Sequence, residues 1–103
     1  MQTSSDRIAR AAEFQRDQCR RIAAHMEQNI QKFERLAAAL DVEIRAEEER
    51  TQNFDPTHVA YSTSAKAART RRDNLRRSRD ELALHLKSIR ASLGEHADEQ
   101  NAA

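Results

Sequence analysis

Apolar residues recur at steps of three and four positions along the first half of the chain. Their average spacing is close to the period of an α-helix with one buried and one solvated side. Thr3, Ser4 or Ser5 can cap such a helix, and Asp6 suits its first turn. The pattern predicts a first helix from about residue 5 to about residue 50. Its apolar stripe consists of Ile8, Ala12, Cys19, Ile22, Met26, Ile30, Phe33, Ala37, Leu40 and Ile44, with Gln15 as a polar interruption.

The second half of the chain shows a stricter spacing, in which steps of four and three alternate without a slip. This is the heptad repeat of a coiled-coil seam. We predict a second helix over residues 56–93, with Gly94 as its C-cap and a polar tail at residues 94–103. The predicted seam consists of Tyr61, Ala65, Ala68, Arg72, Leu75, Arg79, Leu82, Leu86, Ile89 and Leu93.

Asp55 and Pro56 mark the junction between the two helices. Aspartate is a favourable N-cap, and proline fits the first helical position, where its missing N–H costs nothing. We therefore predict a turn at residues 51–55. A short connection between two long amphipathic helices favours antiparallel packing. The predicted fold is all-α, a single antiparallel two-helix coiled-coil hairpin in which the acidic segment 41–50 faces residues 61–69.

Composition narrows the class of protein further. The chain has 103 residues, of which 34% are charged and 4% aromatic, too little bulky apolar material for an ordinary compact core. A single cysteine, Cys19, cannot form an intrachain disulfide, and its place on the stripe predicts a small buried hydrophobe. No apolar run approaches the ~18 residues of a membrane span, and the N-terminus lacks a signal-peptide apolar region. We expect a cytoplasmic protein without direct membrane insertion.

A basic run at residues 66–79 is the strongest local charge feature. It contains Lys66 and six arginines against the single acid Asp73. Such a run can be a docking surface for an acidic partner or for phosphate. It can equally be a solvated helix face balanced by the acidic segment 41–50. Nucleic acid is a weaker candidate because the sequence pI is only about 8.0 and no aromatics alternate with the arginines.

The sequence offers no pattern for catalysis. The four histidines, at positions 25, 58, 85 and 96, show no metal-ligand spacing with Cys19 or with carboxylates. The run Glu47–Glu49 lies on a predicted solvated helix, which lacks the enclosed site that acid–base catalysis needs. A chain with one glycine cannot form a Gly-rich phosphate loop. We expect no enzyme activity, no cofactor and no metal.

Two segments resemble a known family. The first begins at Glu13-Phe14-Gln15 and extends through Phe33-Glu34-Arg35-Leu36-Ala37 to Glu48. The second reads DPTHVAYSTSAKAA from Asp55 and continues as RRDNLRRS from Arg71. Together, over roughly residues 13–90, they resemble the short alphaproteobacterial branch of the flagellar export protein FliJ family. The chain departs from the family pattern where Ser62 follows Tyr61 in place of a proline, and its second helix is shorter than in relatives.

The resemblance implies a non-enzymatic, antiparallel two-helix coiled coil in the flagellar type III export apparatus. Such a protein contacts the export ATPase and the membrane-embedded export gate, assists substrate and chaperone delivery, and lies in the cytoplasm at the inner membrane of the flagellar base. Two alternatives stay open: a structural oligomer in which two hairpins form a four-helix bundle, and an adaptor that binds an acidic partner through the basic run. We expect partner contacts through outward-facing Lys66, Arg69, Arg76 and Arg77, positioned by a turn that Asp55, Pro56 and Tyr61 shape.

Overall fold

Two long helices make up the described chain. The computed structural model describes residues 3–101, and the side chains of residues 3–94. Helix α1 spans Ser4–Thr51 and helix α2 spans Thr63–Asn101, with no strand among the described residues. The predicted all-α helical hairpin is thereby confirmed. Neither described helix contains a stretch that is long and apolar enough to cross a membrane.

Helix α1 has a defined cap at each end. The Thr3 hydroxyl accepts a hydrogen bond from the Asp6 amide, and the Asp6 carboxylate accepts one from the Thr3 amide, both at 3.3 Å. This reciprocal arrangement satisfies amides that the first turn leaves without a helical partner. At the other end, Gln52 adopts a left-handed backbone conformation with φ of 54°, and its side-chain amide donates to the Glu49 carbonyl at 2.7 Å. The left-handed residue ends the helix at Thr51.

The buried stripe of α1 follows the heptad repeat, not the helical period of the prediction. Ala23 is 7% exposed, whereas Ile22 is 47% exposed and Ile8 is 69% exposed. A seam must keep facing a partner whose own contacts repeat every 3.5 residues, and this selects Ala23 over its neighbour. The observed seam consists of Ala12, Arg16, Cys19, Ala23, Met26, Ile30, Phe33, Ala37, Leu40 and Ile44. We label Ile44 position a and Leu40 position d.

Helix α2 buries the predicted seam throughout. All ten predicted seam residues are buried or half-buried, nine of them in α2 and Tyr61 in the connection before it. We label Ala65 position a and Ala68 position d. The predicted start at residue 56 is wrong, because α2 begins at Thr63. Ser62 caps it instead, with its hydroxyl accepting from the Ala65 amide at 3.2 Å.

The predicted end of helix two is also wrong. Helix α2 continues through Gly94 to Asn101, so Gly94 is not a C-cap and most of the predicted tail at residues 94–103 is helical. A glycine cap needs a left-handed backbone, and Gly94 has a negative φ. Residues 102–103 lie outside the described part of the chain.

The chain divides into two compact units. The loop unit comprises residues 29–81, and the terminal unit comprises residues 1–28 with residues 82–103. In the loop unit, the buried apolar residues among those described are mostly alanines together with one aromatic residue: Ala37, Ile44, Tyr61, Ala65 and Ala68. Small residues at a seam allow helix backbones to approach closely, so this core holds the connection and its polar neighbours in fixed positions.

Candidate docking site

The connection at residues 52–62 is a sequence of two hydrogen-bonded turns. The Asp55 carboxylate accepts from the Thr57 hydroxyl at 2.6 Å and from its amide at 3.0 Å, and the Asp55 carbonyl accepts from the His58 amide at 3.1 Å. Those bonds from Thr57, the hydroxyl first, lower the pKa of Asp55. The Tyr61 amide then donates to the His58 carbonyl at 3.0 Å. Asp55 and Pro56 therefore form a turn and do not start α2, which corrects the predicted turn at residues 51–55.

Tyr61 joins the connection to both helices. The residue is 7% exposed, and its hydroxyl donates to the Glu48 carboxylate at 3.0 Å. Arg69 of α2 donates from Nε to the Tyr61 hydroxyl at 2.9 Å and from Nη2 to Glu48 at 3.1 Å. The Arg69 guanidinium also lies 5.7 Å from the centre of the Tyr61 ring, within cation–π range. We call these three residues the Tyr61 cluster.

Electrostatics within the Tyr61 cluster favours the ionised carboxylate. Burial opposes the charge on Glu48, but the hydrogen bonds from Arg69 and Tyr61 outweigh it and lower the pKa of Glu48. The same contacts, from Tyr61 first and Glu48 next, raise the pKa of Arg69. A buried carboxylate needs such partners because an unpaired one would be costly. Glu48, a residue of α1, therefore holds the side chains of Tyr61 and Arg69 in position.

Glu47 makes a second link between α1 and the start of α2. Its carboxylate accepts from Arg50 Nε at 3.1 Å and from the Ser62 hydroxyl at 2.8 Å. The bonds from Arg50 and then Ser62 lower its pKa to about 2. The capping residue of α2 is thus held by an acid of α1, and the sequence pattern gave no sign of this role for Ser62.

Asp41 accounts for Arg72, one of the two arginines on the seam of α2. Arg72 is 16% exposed in its side chain and donates to Asp41 Oδ1 at 2.9 Å, while Arg76 donates to Asp41 Oδ2 at 2.6 Å. Arg72 also pairs with Asp73 at 3.1 Å. These contacts, from Asp41 first, raise the pKa of Arg72 despite its partial burial. One carboxylate of α1 therefore orders two arginines of α2.

The predicted facing of the acidic and basic segments is observed, but its register is shifted. Residue 41 meets residues 72 and 76, further along α2 than a turn centred near residue 54 would place them. The connection is longer than predicted and is centred near residue 57, which moves the pairing along α2. The prediction of a charge-matched hairpin end is otherwise consistent with these contacts.

The four predicted docking cations fall into two groups. Arg69 and Arg76 are bound to carboxylates of α1, so their predicted outward orientation is wrong. Both lie at heptad position e, beside the seam, where an acid of the neighbouring helix comes within reach. Lys66 and Arg77 are exposed, and neither has an ion pair within the described part of the chain. Arg71, which the prediction did not select, is exposed and unpaired in the same sense.

The remaining candidates for chemistry lie apart. Among the described residues, no three His, Cys, Asp or Glu side chains come together so that they could hold a metal ion. His58 serves the connection, with Nδ1 accepting from the Ala60 amide at 3.0 Å. Cys19 is a free, half-buried cysteine on the seam of the terminal unit. The candidate site that this geometry offers is a group of exposed cations on a braced helix pair.

Comparisons with known proteins add no relative. No family model matches the chain, and no curated protein or solved structure matches it significantly.

Proposed function

We propose that this chain is a non-enzymatic coiled-coil component of the flagellar type III export apparatus. The proposal rests on the FliJ-like residues over roughly 13–90 and on the suitability of a helical hairpin for such a role. In this role the chain docks to the export ATPase and to the export gate, in the cytoplasm beside the inner membrane of the flagellar base. It assists the delivery of substrates and chaperones without chemistry of its own.

The docking role rests on one observation: some cations of α2 are ion-paired with acids of α1, and others are not. Arg69, Arg72 and Arg76 are committed to acids of α1. Lys66 and Arg77 lie on the outer face of the same stretch, and neither has an ion pair with a residue that the structure describes. Charges that are free of internal partners are the ones that attract an oppositely charged protein surface and accelerate its association.

The ion pairs and the free cations act together in this mechanism. A partner that binds Lys66 and Arg77 does not have to break the contacts between α1 and α2. The helix pair therefore presents its charges at fixed spacing, and binding pays little for ordering the surface. The chemistry of the surface calls for a partner patch rich in aspartate and glutamate.

A binding assay with purified components tests the docking surface. Immobilised chain is exposed to the export ATPase and, separately, to the cytoplasmic part of the export gate. The double variant Lys66→Glu/Arg77→Glu is expected to weaken binding by about tenfold or more. Binding by the wild-type chain is expected to weaken as the salt concentration rises. Lys87→Glu is the matched control, because Lys87 is an exposed lysine at the same heptad position as Lys66. An equal loss in the control, or no binding to either partner by the wild-type chain, contradicts the docking surface.

Motility tests the assignment to flagellar export. A strain that lacks the gene is expected to secrete few flagellar subunits and to swim poorly, and the wild-type gene is expected to restore both. The double charge variant is expected to restore them only in part. Normal swimming and secretion in the deletion strain would overturn the proposed function.

A further inference from the structure

The two flanks of the helix pair differ within the loop unit. The flank that contains heptad positions e is closed by ion pairs, Glu48 with Arg69 and Asp41 with Arg76. Each pair lies one heptad from the next on both helices, so these contacts fix the antiparallel register. In an antiparallel coiled coil the opposite flank is formed by positions g of both helices.

The flank of positions g is open and mixed in character. In the middle of the loop unit it carries Leu36 and Glu43 of α1 and Arg71 and Ser78 of α2, and the remaining positions g of the unit are Asn29, Arg50 and Ser64. Leu36 is 44% exposed. Glu43 and Arg71 are exposed, and neither side chain has a hydrogen bond or ion pair within the described part of the chain. We call this surface the g flank.

A shallow, open groove lies on the g flank of α2. It has a volume of about 300 Å³ and is lined by Arg71, Asn74, Leu75 and Ser78. Leu75 belongs to the seam and is only half-buried, so part of its side chain faces the groove. Serine at position 78 is too small to cover it. The g flank therefore offers an apolar side chain, a partly apolar groove, an unpaired acid and an unpaired base.

We propose that the g flank of the loop unit binds the g flank of a second copy of this chain. In a twofold-symmetric contact, every feature meets the complementary feature of the other copy. Leu36 of each copy packs at the groove beside Leu75 of the other, and Glu43 of each copy pairs with Arg71 of the other. The contact buries apolar surface that is otherwise left in water, and it neutralises both unpaired charges.

The charges of the g flank select a second copy over an unrelated partner. An acidic partner would meet Glu43, and a basic partner would meet Arg71, so each would bring like charges together. Among the described residues the surface carries one unpaired acid and one unpaired base side by side, whereas Arg50 on the same flank is bound to Glu47. Only a partner with the same arrangement in reverse order matches both. A copy related by a twofold axis supplies that arrangement. This pairing is independent of the proposed docking through Lys66 and Arg77.

Sedimentation equilibrium of the full chain over a wide concentration range tests the pairing. The wild-type chain is expected to show a reversible monomer–dimer equilibrium. Leu36→Glu is expected to weaken dimerisation by at least about tenfold, because it places a charge in the apolar contact. Val42→Glu is the matched control, since Val42 is 70% exposed on the outer face of α1. Circular dichroism of each variant verifies that the helices are retained.

Mixing two charge variants tests the geometry directly. Arg71→Glu and Glu43→Arg are each expected to dimerise poorly, because each homodimer brings two like charges together. A mixture of the two is expected to recover wild-type dimerisation, since both cross-contacts then join an acid to a base. If Glu43 and Arg71 paired only within one chain, mixing the two variants would not restore dimerisation. The proposal is overturned if the wild-type chain stays monomeric, if Val42→Glu weakens dimerisation as much as Leu36→Glu, or if mixing restores nothing.

Discussion

The loop unit and the terminal unit use the same seam pattern but hold their helices together differently. In the loop unit, α1 and α2 are joined by the Tyr61 cluster, by Glu47 with Ser62, and by the fork of Asp41 to two arginines. In the terminal unit, the described ion pair between the helices is Glu27 with Arg90 at 2.8 Å, with side chains 51% and 55% exposed. Its buried apolar residues, among those described, are Ala23 and Leu86.

The difference shows where a thin helix pair gains its stability. Near the connection the helices meet after a short loop, so pairing there costs little chain entropy. The polar groups enclosed by that pairing have to be satisfied, and the Tyr61 cluster satisfies them. Exposed ion pairs such as Glu27 with Arg90 contribute little. We therefore expect local opening to cost less free energy in the terminal unit than in the loop unit.

Removing Tyr61 is expected to have the largest effect on this contrast. Tyr61→Ala deletes a buried aromatic ring and leaves Glu48 without one of its donors, so we expect a loss of about 3 kcal/mol in the free energy of unfolding. Tyr61→Phe keeps the ring and is expected to lose about 1–2 kcal/mol. Urea denaturation followed by circular dichroism measures both. Phe14→Ala, at a residue 63% exposed in the terminal unit, is the control. Equal losses at Tyr61 and Phe14 would remove the contrast.

The seam of α2 could be predicted from sequence because its repeat has no slip and its burial depends only on spacing. The seam of α1 could be predicted less accurately than that of α2. Ile22 and Ala23 are adjacent, and hydrophobicity favours Ile22, whereas the heptad of the neighbouring helix buries Ala23. Single-helix patterns lack that information, because the choice belongs to the pair.

The candidate site was predictable in location but not in its internal contacts. The basic run gave the position of the cations, but which of them are free depends on the register across the connection. Asp55 and Pro56 carry the signals of a helix start, yet side-chain bonds from Thr57 hold Asp55 in a turn, and Ser62 takes the capping role. Tertiary contacts with Glu47 and Glu48 decided this outcome, and they join residues that are distant along the chain.

Replacing a seam alanine by leucine is expected to destabilise the loop unit more than the terminal unit. The difference in stability is expected to be smaller than that for Tyr61→Ala. Ala65 in the loop unit is 1% exposed, so Ala65→Leu forces the helices apart and is expected to cost about 2 kcal/mol. Ala12 in the terminal unit lines a groove of about 140 Å³ beside Cys19 and Leu93. Ala12→Leu is therefore expected to be neutral or slightly stabilising. Thermal denaturation of both variants measures the difference, and a larger loss for Ala12→Leu would reverse the contrast.

Acidification is expected to have the smallest effect on folding stability, and this effect is expected to come from Glu47 in the loop unit. In the folded chain the pKa of Glu47 is lowered from 4.5 to about 2, chiefly by Arg50 and Ser62. Between these values the unfolded chain binds more protons than the folded chain, so folding stability falls as pH falls through this range. Above pH 4.5 the contribution of Glu47 is fully present.

The variant Glu47→Gln isolates this contribution. A glutamine does not titrate, so the variant is expected to be slightly less stable than wild type at neutral pH and to lose less stability on acidification. Melting temperatures measured in a series from neutral pH to pH 3 test both expectations. Glu27→Gln is the control, because Glu27 belongs to the exposed ion pair of the terminal unit. An acid response that Glu27→Gln flattens and Glu47→Gln leaves unchanged would show that the terminal unit, and not the loop unit, carries the charge-dependent stability of the hairpin.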